Sequence, residues 1–382
     1  MALGLNRMQS QVRILMVTPQ YFPHVGGLET HVYETSRRLR DRGLDVHILT
    51  TDPSHTLDRH ERVAGVPVTR VPSYPSRRDW MIAPRLVSEV RALGPDLVHV
   101  QSIATAVAPE AMLTALSLHV PFIVTFHSGG HSSLMRRKLR WLQWLSLRPL
   151  LSRSSALVAV SEFETRMFGR WLHESRSAFD VIPNGVEPLA ASDAVLDIPT
   201  DLDPLVLTIG RLEKYKGHHR VVKALPAILT ERPSAGVVVV GKGPYERSLR
   251  ELAIKLNVTD RVLFRYVEPS HRATLTALMQ RASVVAMLSQ YEAQSLAVLE
   301  ALSTGVPVVT GQGSGLAEVQ DAGMTTSVPW SAPANVVARA ILAAVGTRPP
   351  NVALPQWDDC VAGLVGIYDR VLARRPAGMQ RN

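Results

Sequence analysis

At 382 residues, with 46% hydrophobic and 20% charged positions, the chain is too long for one ordinary core and too apolar to be disordered. It suits two domains of roughly 180 residues each. A single cysteine, Cys360, excludes an intramolecular disulfide framework and fits a reducing cytosol, and no run of about 18 apolar residues offers a membrane span. The net charge of +9 points to an anionic partner, which composition leaves open between nucleic acid, an anionic lipid surface and a phosphate-bearing small molecule.

Residues 1–11 read as a leader without function. After them, short runs rich in Val, Ile and Leu at residues 12–17, 46–49, 66–71, 97–100, 122–126, 156–160 and 181–182 predict buried parallel strands. Helical patterns lie between most of them, for example residues 28–41, which stop before Gly43. Residues 187–204 carry Pro, Ala, Ser and Asp with no apolar period and read as a linker. The alternation then restarts, with strands at 205–209, 237–240, 262–266, 284–287 and 306–309 and helices at 217–230, 245–256, 270–281 and 295–303. A helix at 357–373 has no strand after it and is free to cross back to the first domain; the polar tail begins at Arg374. The expected fold is therefore α/β, two doubly wound domains facing each other. Their limits are set at 1–190 and 205–355, with a linker at 191–204 and the returning helix and tail at 356–382.

In doubly wound sheets ligands bind beyond the carboxyl ends of the strands, so chemistry is sought in the loops that follow strands. After the first strand, Gly26 and Gly27 precede a helix, which makes either a place for an anion against free N–H groups or only a tight turn. After the fifth, TFHSGGH sets His127 at a strand end, for a sugar hydroxyl, for developing charge, or for a local loop contact. His127 and His131 as a metal pair lack a third ligand.

The loop GRLEKYKGHHR places Arg211 and Lys216 around a turn into a helix, as two cations on one phosphate-sized target or as solvated surface charge. In YEAQSLAVLEALSTGVPVVT, Glu292 precedes a helix starting near Ser295 and Glu300 lies inside it, with bare amides at Ser295 and Leu296 between the two acids. A hydrolytic carboxylate pair would not need the basic cradle; carboxylates that accept hydrogen bonds from sugar and ribose hydroxyls fit better. GQGSGLAEV at 311–319 is not a dinucleotide loop, because Leu316 stands where the third glycine is needed. Residues 134–153 interleave Arg136, Arg137, Lys138, Arg140 and Arg148 with Trp141, Trp144 and leucines. Such a segment is either an interfacial membrane helix or a core helix with a wet basic face, and no nucleic-acid module accompanies it.

Taken in order from about residue 12 to 320, VGGLETHV, VTFH, AVS, VIPNGV, GRLEKYKG, VVGKGP and E-x7-E followed by ALSTGVPVV resemble family 4 of the retaining glycosyltransferases. That family has the GT-B fold, two Rossmann-like domains facing each other across a cleft. The resemblance implies transfer of a hexose or N-acetylhexosamine from a nucleoside diphosphate sugar, such as a UDP- or GDP-sugar, to a sugar or lipid-linked acceptor. Anomeric configuration is retained, no metal is bound and no other cofactor is used.

Carried over by position, Arg211 and Lys216 hold the donor diphosphate and Gly243 of VVGKGP belongs to the donor site. Glu300 takes the ribose hydroxyls, and Glu292 takes the transferred sugar with the amides of Ser295 and Leu296. His127 meets the sugar near the reacting carbon, Gly26 and Gly27 line the cleft, and Glu29 approaches the acceptor side. One departure is that Gln294 and Ser295 stand where the family usually has Phe-Gly. Ser295 can still cap the helix, and Gln294 leaves the donor sugar open. YFPHVGGLETHV also resembles the lipid-modifying branch, including phosphatidylinositol mannosyl- and N-acetylglucosaminyltransferases. With the basic tryptophan segment this implies a cytoplasmic protein peripheral on the inner face of a membrane. A nucleotide-sugar epimerase and a non-catalytic sugar-nucleotide-binding protein are the alternatives.

Overall fold

A computed structural model of the chain describes residues 12–75, 81–128, 145–187, 192, 194–268, 271–350 and 353–374. They fall into two compact units. The first holds the described residues up to 128, those from 145 to 185, and those from 355 onward; the second holds 186–354.

The first unit is built on an eight-stranded sheet in the order β3-β4-β2-β1-β5-β6-β7-β8. Its strands are β1 Arg13–Thr18, β2 Asp45–Asp52, β3 His60–Val63, β4 Val66–Pro72, β5 Leu97–Gln101, β6 Phe122–Thr125, β7 Ala156–Ala159 and β8 Phe179–Val181. All neighbours pair parallel except β3 with β4. β1, β5 and β6 are almost wholly buried, which is why their sequence reads as unbroken apolar runs. β3 escapes that criterion because it is an edge strand, HERV, exposed at alternate residues and joined to β4 by a turn with positive φ at Ala64 and Gly65.

The helices of this unit include α1 Gly27–Asp41, α2 Leu86–Leu93, α3 Val107–Ser117, α4 Glu162–Leu172 and, from the far end of the chain, Trp357–Ala373, and residues 145–151 are also helical. The last packs on α1 and buries Trp357, Val361, Leu364, Ile367 and Tyr368. Gly185 lets it begin there, since a Cβ on Gly185 would lie 2.1 Å from the Trp357 nitrogen. Arg42 bonds Asp358 at 3.2 Å and Arg370 bonds Asp180 at 2.6 Å at its rim.

The second unit carries a parallel six-stranded sheet in the order β11-β10-β9-β12-β13-β14. These are β9 Leu205–Ile209, β10 Gly236–Val240, β11 Val262–Arg265, β12 Val284–Met287, β13 Val308–Gly311 and β14 Thr326–Val328. Helices α5 His218–Glu231, α6 Glu246–Lys255, α7 Arg272–Arg281, α8 Leu296–Ser303, α9 Ala317–Asp321 and α10 Ala334–Ala344 flank it, so that the returning helix is α11. β14, mostly exposed Thr-Ser-Val at the sheet edge, is a second strand that an apolar-run reading passes over. The stretch read as a linker is fastened to this unit: Leu202 is buried, Arg265 donates to Asp197 O at 2.6 Å, and Arg281 donates to Thr200 O at 2.9 Å.

Candidate functional site

In the second unit the loops after β9 and β12 bring the basic and acidic residues together. β9 ends at Ile209, and the loop behind it runs through a short 3-10 turn, Lys214–Lys216, into α5. Lys216 Nζ donates to Glu292 Oε1 at 2.7 Å, and Ser289 Oγ donates to the same oxygen at 2.8 Å. The Lys216 and Glu292 side chains are 17% and 10% exposed, so the pair is shielded from bulk water. Burial pulls the Lys216 ammonium down, but Glu292 and Tyr215 together outweigh it and leave the group above the ordinary lysine value. Arg211 is exposed, and its guanidinium donates to the Tyr215 hydroxyl at 3.2 Å. Lys216 thus already holds an acid, while Arg211 stands at the surface close enough to act on the Lys216 charge.

Glu292 is gripped from behind by the glycine-rich turn after β13. Gly315 N donates to Glu292 O at 2.8 Å, and Glu292 N donates to Ser314 Oγ at 3.2 Å. A Cβ on Gly315 would lie 1.6 Å from Ala293 O, so only glycine admits this approach. GQGSG is thus a clamp on the acid loop, a role its failed dinucleotide pattern does not suggest.

α8 starts at Leu296 with Ser295 at the N-cap, and the first donors back into the turn are Val298 N and Leu299 N, both to Ser295 O. The amides of Ser295 and Leu296 precede them, as the sequence predicts for a helix start. The Ser295 side chain makes no capping hydrogen bond, contrary to the role expected of it. Glu300, four residues into α8, is paired with Arg272 of α7, a partner that nothing in the sequence announces. Gly243 packs backbone to backbone: its Cβ would meet Leu212 O at 2.5 Å, and Tyr245 N donates to Leu212 O at 2.9 Å. Gly243 therefore lets two strand-end loops pack together.

In the first unit, α1 begins at Gly27 behind Gly26. The Glu29 carboxylate folds over that start, with Oε2 2.7 Å from where a Cβ on Gly26 would be. The helix terminus expected to welcome an outside anion carries an acid of the chain itself, while Gly27 has open space.

His127 follows β6 with φ of +47°, a left-handed conformation that costs a side-chain-bearing residue about 1 kcal/mol. It is held from both sides. Its Nε2 lies 2.9 Å from Gln101 Oε1, and the next amide, Ser128 N, donates to the buried Glu164 at 2.6 Å. Its ring stands edge-on to His31 at 4.4 Å. His31 Nδ1 bonds Asn184 Oδ1 at 2.7 Å and its Nε2 has no partner among the described residues. Burial keeps His31 neutral, lowered to about 4, and burial with His31 and His99 nearby holds His127 well below the ordinary histidine value. Gln101, Glu164, His31 and Asn184 do not stand out in the sequence. The recoverable signal is position, since Gln101 closes β5 and Asn184 and Gly185 lie in VIPNGV.

Gly129, Gly130, His131 and the basic and tryptophan residues of 134–144 lie outside the described residues. In the remainder of that segment, Leu147 and Leu151 are buried in the first unit's core and Arg148 is exposed. Among the described residues no helix is long and apolar enough to cross a membrane, and no group of three or more His, Cys, Asp or Glu could hold a metal ion.

Residues 25–188 match the family model described as Glycosyltransferase Family 4, and residues 196–341 match Glycosyl transferases group 1. Glycogen synthase of Mycobacterium tuberculosis is 30% identical over 349 residues, covering 82% of this chain and 81% of the relative. The GDP-mannose:cellobiosyl-diphosphopolyprenol alpha-mannosyltransferase of Xanthomonas campestris is 28% identical, covering 78% of each chain. Among solved structures, sucrose-phosphate synthase from Thermosynechococcus elongatus superposes with a TM-score of 0.78 at 21% identity, over 96% of this chain and 100% of that one. With both units matched in order and these relatives aligned over most of their own length, the chain belongs to the family 4 glycosyltransferases and has the GT-B fold.

Proposed function

We propose that the chain transfers a hexose or N-acetylhexosamine from a nucleoside diphosphate sugar, a UDP- or GDP-sugar, to a sugar or lipid-linked hydroxyl. The anomeric configuration is retained and no bound metal takes part. The observation that carries the reading is the Lys216–Glu292 pair at the strand ends, beside the first amides of α8. A shielded ammonium and a helix N-terminus suit a leaving diphosphate, and a carboxylate locked beside them suits sugar hydroxyls.

In the reaction the bond from the anomeric carbon to the phosphate oxygen breaks, the acceptor oxygen bonds to that carbon, and the acceptor proton passes to the departing phosphate. Lys216 and Arg211 meet the charge that develops on the diphosphate, with the amides of Ser295 and Leu296. Glu292, held on Oε1 by Lys216 and Ser289, is assigned as a sugar ligand and not as a base. Glu300 takes the ribose hydroxyls in exchange for Arg272, while His127 and Glu29 serve the sugar and acceptor. Similarity to an enzyme whose name gives a GDP-mannose donor and a polyprenol-linked acceptor supports a lipid-linked acceptor, and similarity to a glycogen synthase supports a polysaccharide one. No similarity found favours the epimerase.

Thermal-shift screening of nucleotides selects the donor, since a ligand that binds only the folded form raises apparent stability. Transfer is then followed by NMR of the product. Wild-type rates in folded Glu292→Ala would sink the assignment, an inverted anomeric centre would remove retention, and loss of activity in a chelator would remove metal independence. A changed sugar formed from donor alone would restore the epimerase. The basic segment 134–153 is assigned to an anionic membrane surface; unchanged co-sedimentation with anionic liposomes after replacing Arg136, Arg137 and Lys138 by Ser would withdraw that assignment.

A further inference from the structure

A chain of buried side chains runs from His127 to the returning helix of the first unit. Gln101 Oε1 lies 2.9 Å from His127 Nε2, and Gln101 Nε2 lies 3.1 Å from His99 Nε2. His99 Nε2 is also 2.7 Å from Thr125 Oγ1, and His99 Nδ1 is 2.8 Å from the Tyr368 hydroxyl. His99, Gln101 and Thr125 have no exposed surface and Tyr368 is 1% exposed, so water does not compete for these contacts.

The hydrogens follow from what each atom can do. A carboxamide nitrogen only donates and its oxygen only accepts. Gln101 therefore gives a hydrogen to His99 Nε2, which must hold a lone pair, and the Thr125 hydroxyl can donate to the same atom. The single ring hydrogen of His99 is then on Nδ1 and goes to Tyr368. At the other end, Gln101 Oε1 takes a hydrogen from His127 Nε2, which leaves the His127 lone pair on Nδ1. Reversing the amide would put the His99 hydrogen on Nε2, where Gln101 and Thr125 would have to share it. Four contacts would then have three hydrogens; the arrangement present supplies four, with Gln101 and Thr125 converging on the one lone pair of His99 Nε2.

We propose that Gln101, backed by His99 and Tyr368, is a positioning residue that fixes His127 as the Nε2–H tautomer, so that His127 meets its ligand through Nδ1 as an acceptor for a hydroxyl hydrogen. The proposal rests on the reading in which His127 contacts the sugar. It adds to that reading the sense of the hydrogen bond: a sugar hydroxyl is recognised as a donor, and His127 gives no proton to the leaving phosphate. It also makes Tyr368, on the last helix, part of the support of a residue in the loop after β6.

The test uses the full chain with 15N-labelled histidine. Long-range 1H–15N correlations report which ring nitrogen carries hydrogen, and loss of signals in His127→Asn identifies His127. The expected result is a hydrogen on Nε2 in the wild type, and in folded Gln101→Leu a mixture of tautomers with kcat lowered roughly tenfold to a hundredfold while donor KM stays put. Tyr368→Phe, which keeps the ring that fills the site, should move the His99 signals and lower kcat less; it serves if Gln101→Leu does not fold. A wild-type His127 with its hydrogen on Nδ1 overturns the proposal, and so do unchanged His127 signals in folded Gln101→Leu, or unchanged His99 signals in Tyr368→Phe. Full transfer activity in His127→Asn would instead overturn the placing of His127 against the sugar and leave the tautomer result intact, so the two failures are separable.

Discussion

Lys216 and Glu292 meet in the second unit as full opposite charges, whereas His127, Gln101, His99 and Tyr368 in the first unit form an uncharged, dry chain. Both centres lie at carboxyl ends of parallel strands, so the fold places them alike and side-chain chemistry separates them. A charged pair balances charge that appears and leaves during a reaction. A neutral network fixes orientation at no electrostatic cost, provided that every member is satisfied. The division also shows in how each centre fails: the first is broken by losing a partner, the second by gaining a proton.

The largest effect is expected from breaking the charged pair. Lys216→Ala leaves Glu292 without its cation and should lower kcat/KM for sugar transfer about a thousandfold, read from initial rates with circular dichroism confirming the fold. Next comes the clamp behind the acid. Gly315→Ala forces a methyl into the Ala293 carbonyl and should cost about 3 kcal/mol in urea unfolding of the second unit, together with a loss of donor affinity.

The neutral centre is probed by acid. Burial lowers His31 to about 4 and His99, beside His31, to about 3, while an unfolded histidine titrates near 6.5. Between pH 6.5 and 4 the unfolded chain binds the extra protons, so stability is complete above about 6.5 and falls as pH drops. Each of these two groups should remove about 2 kcal/mol by pH 5. His218, lowered to about 4 by burial, makes the second unit share the trend. Equal unfolding free energies at pH 7 and pH 5 would show that these rings are not buried neutral. The smallest effect belongs to the surface. Arg272→Ala frees Glu300 from a half-exposed partner and should tighten donor Kd about twofold by titration calorimetry.

The central strands are legible because burial on both faces leaves nothing but Val, Ile and Leu to write there, as in β9 and β12. β3 and β14 are not, since an edge strand keeps polar residues on its open side. In the site, Glu292 and Lys216 stand out as charged residues in strand-end loops, and their direct bond does not, because they are 76 positions apart. Gln101 and His99 are invisible for a related reason: inside an apolar run they read as interruptions, and only the sheet register sets them beside Thr125 and His127. The clamp at Gly311–Gly315 has no role that the sequence can disclose, since a glycine that makes room for a neighbouring carbonyl looks the same as one that makes a turn.

The helix Trp357–Ala373 has a consequence for how the protein comes into being. The described part of the second unit is one stretch, 186–354, and can close as soon as that stretch has been synthesised. The first unit begins to emerge earlier yet lacks the helix that covers α1 and supplies Tyr368 until after residue 355. On the ribosome the half made first is therefore the half finished last, and for most of synthesis it waits with the floor of its histidine chain open.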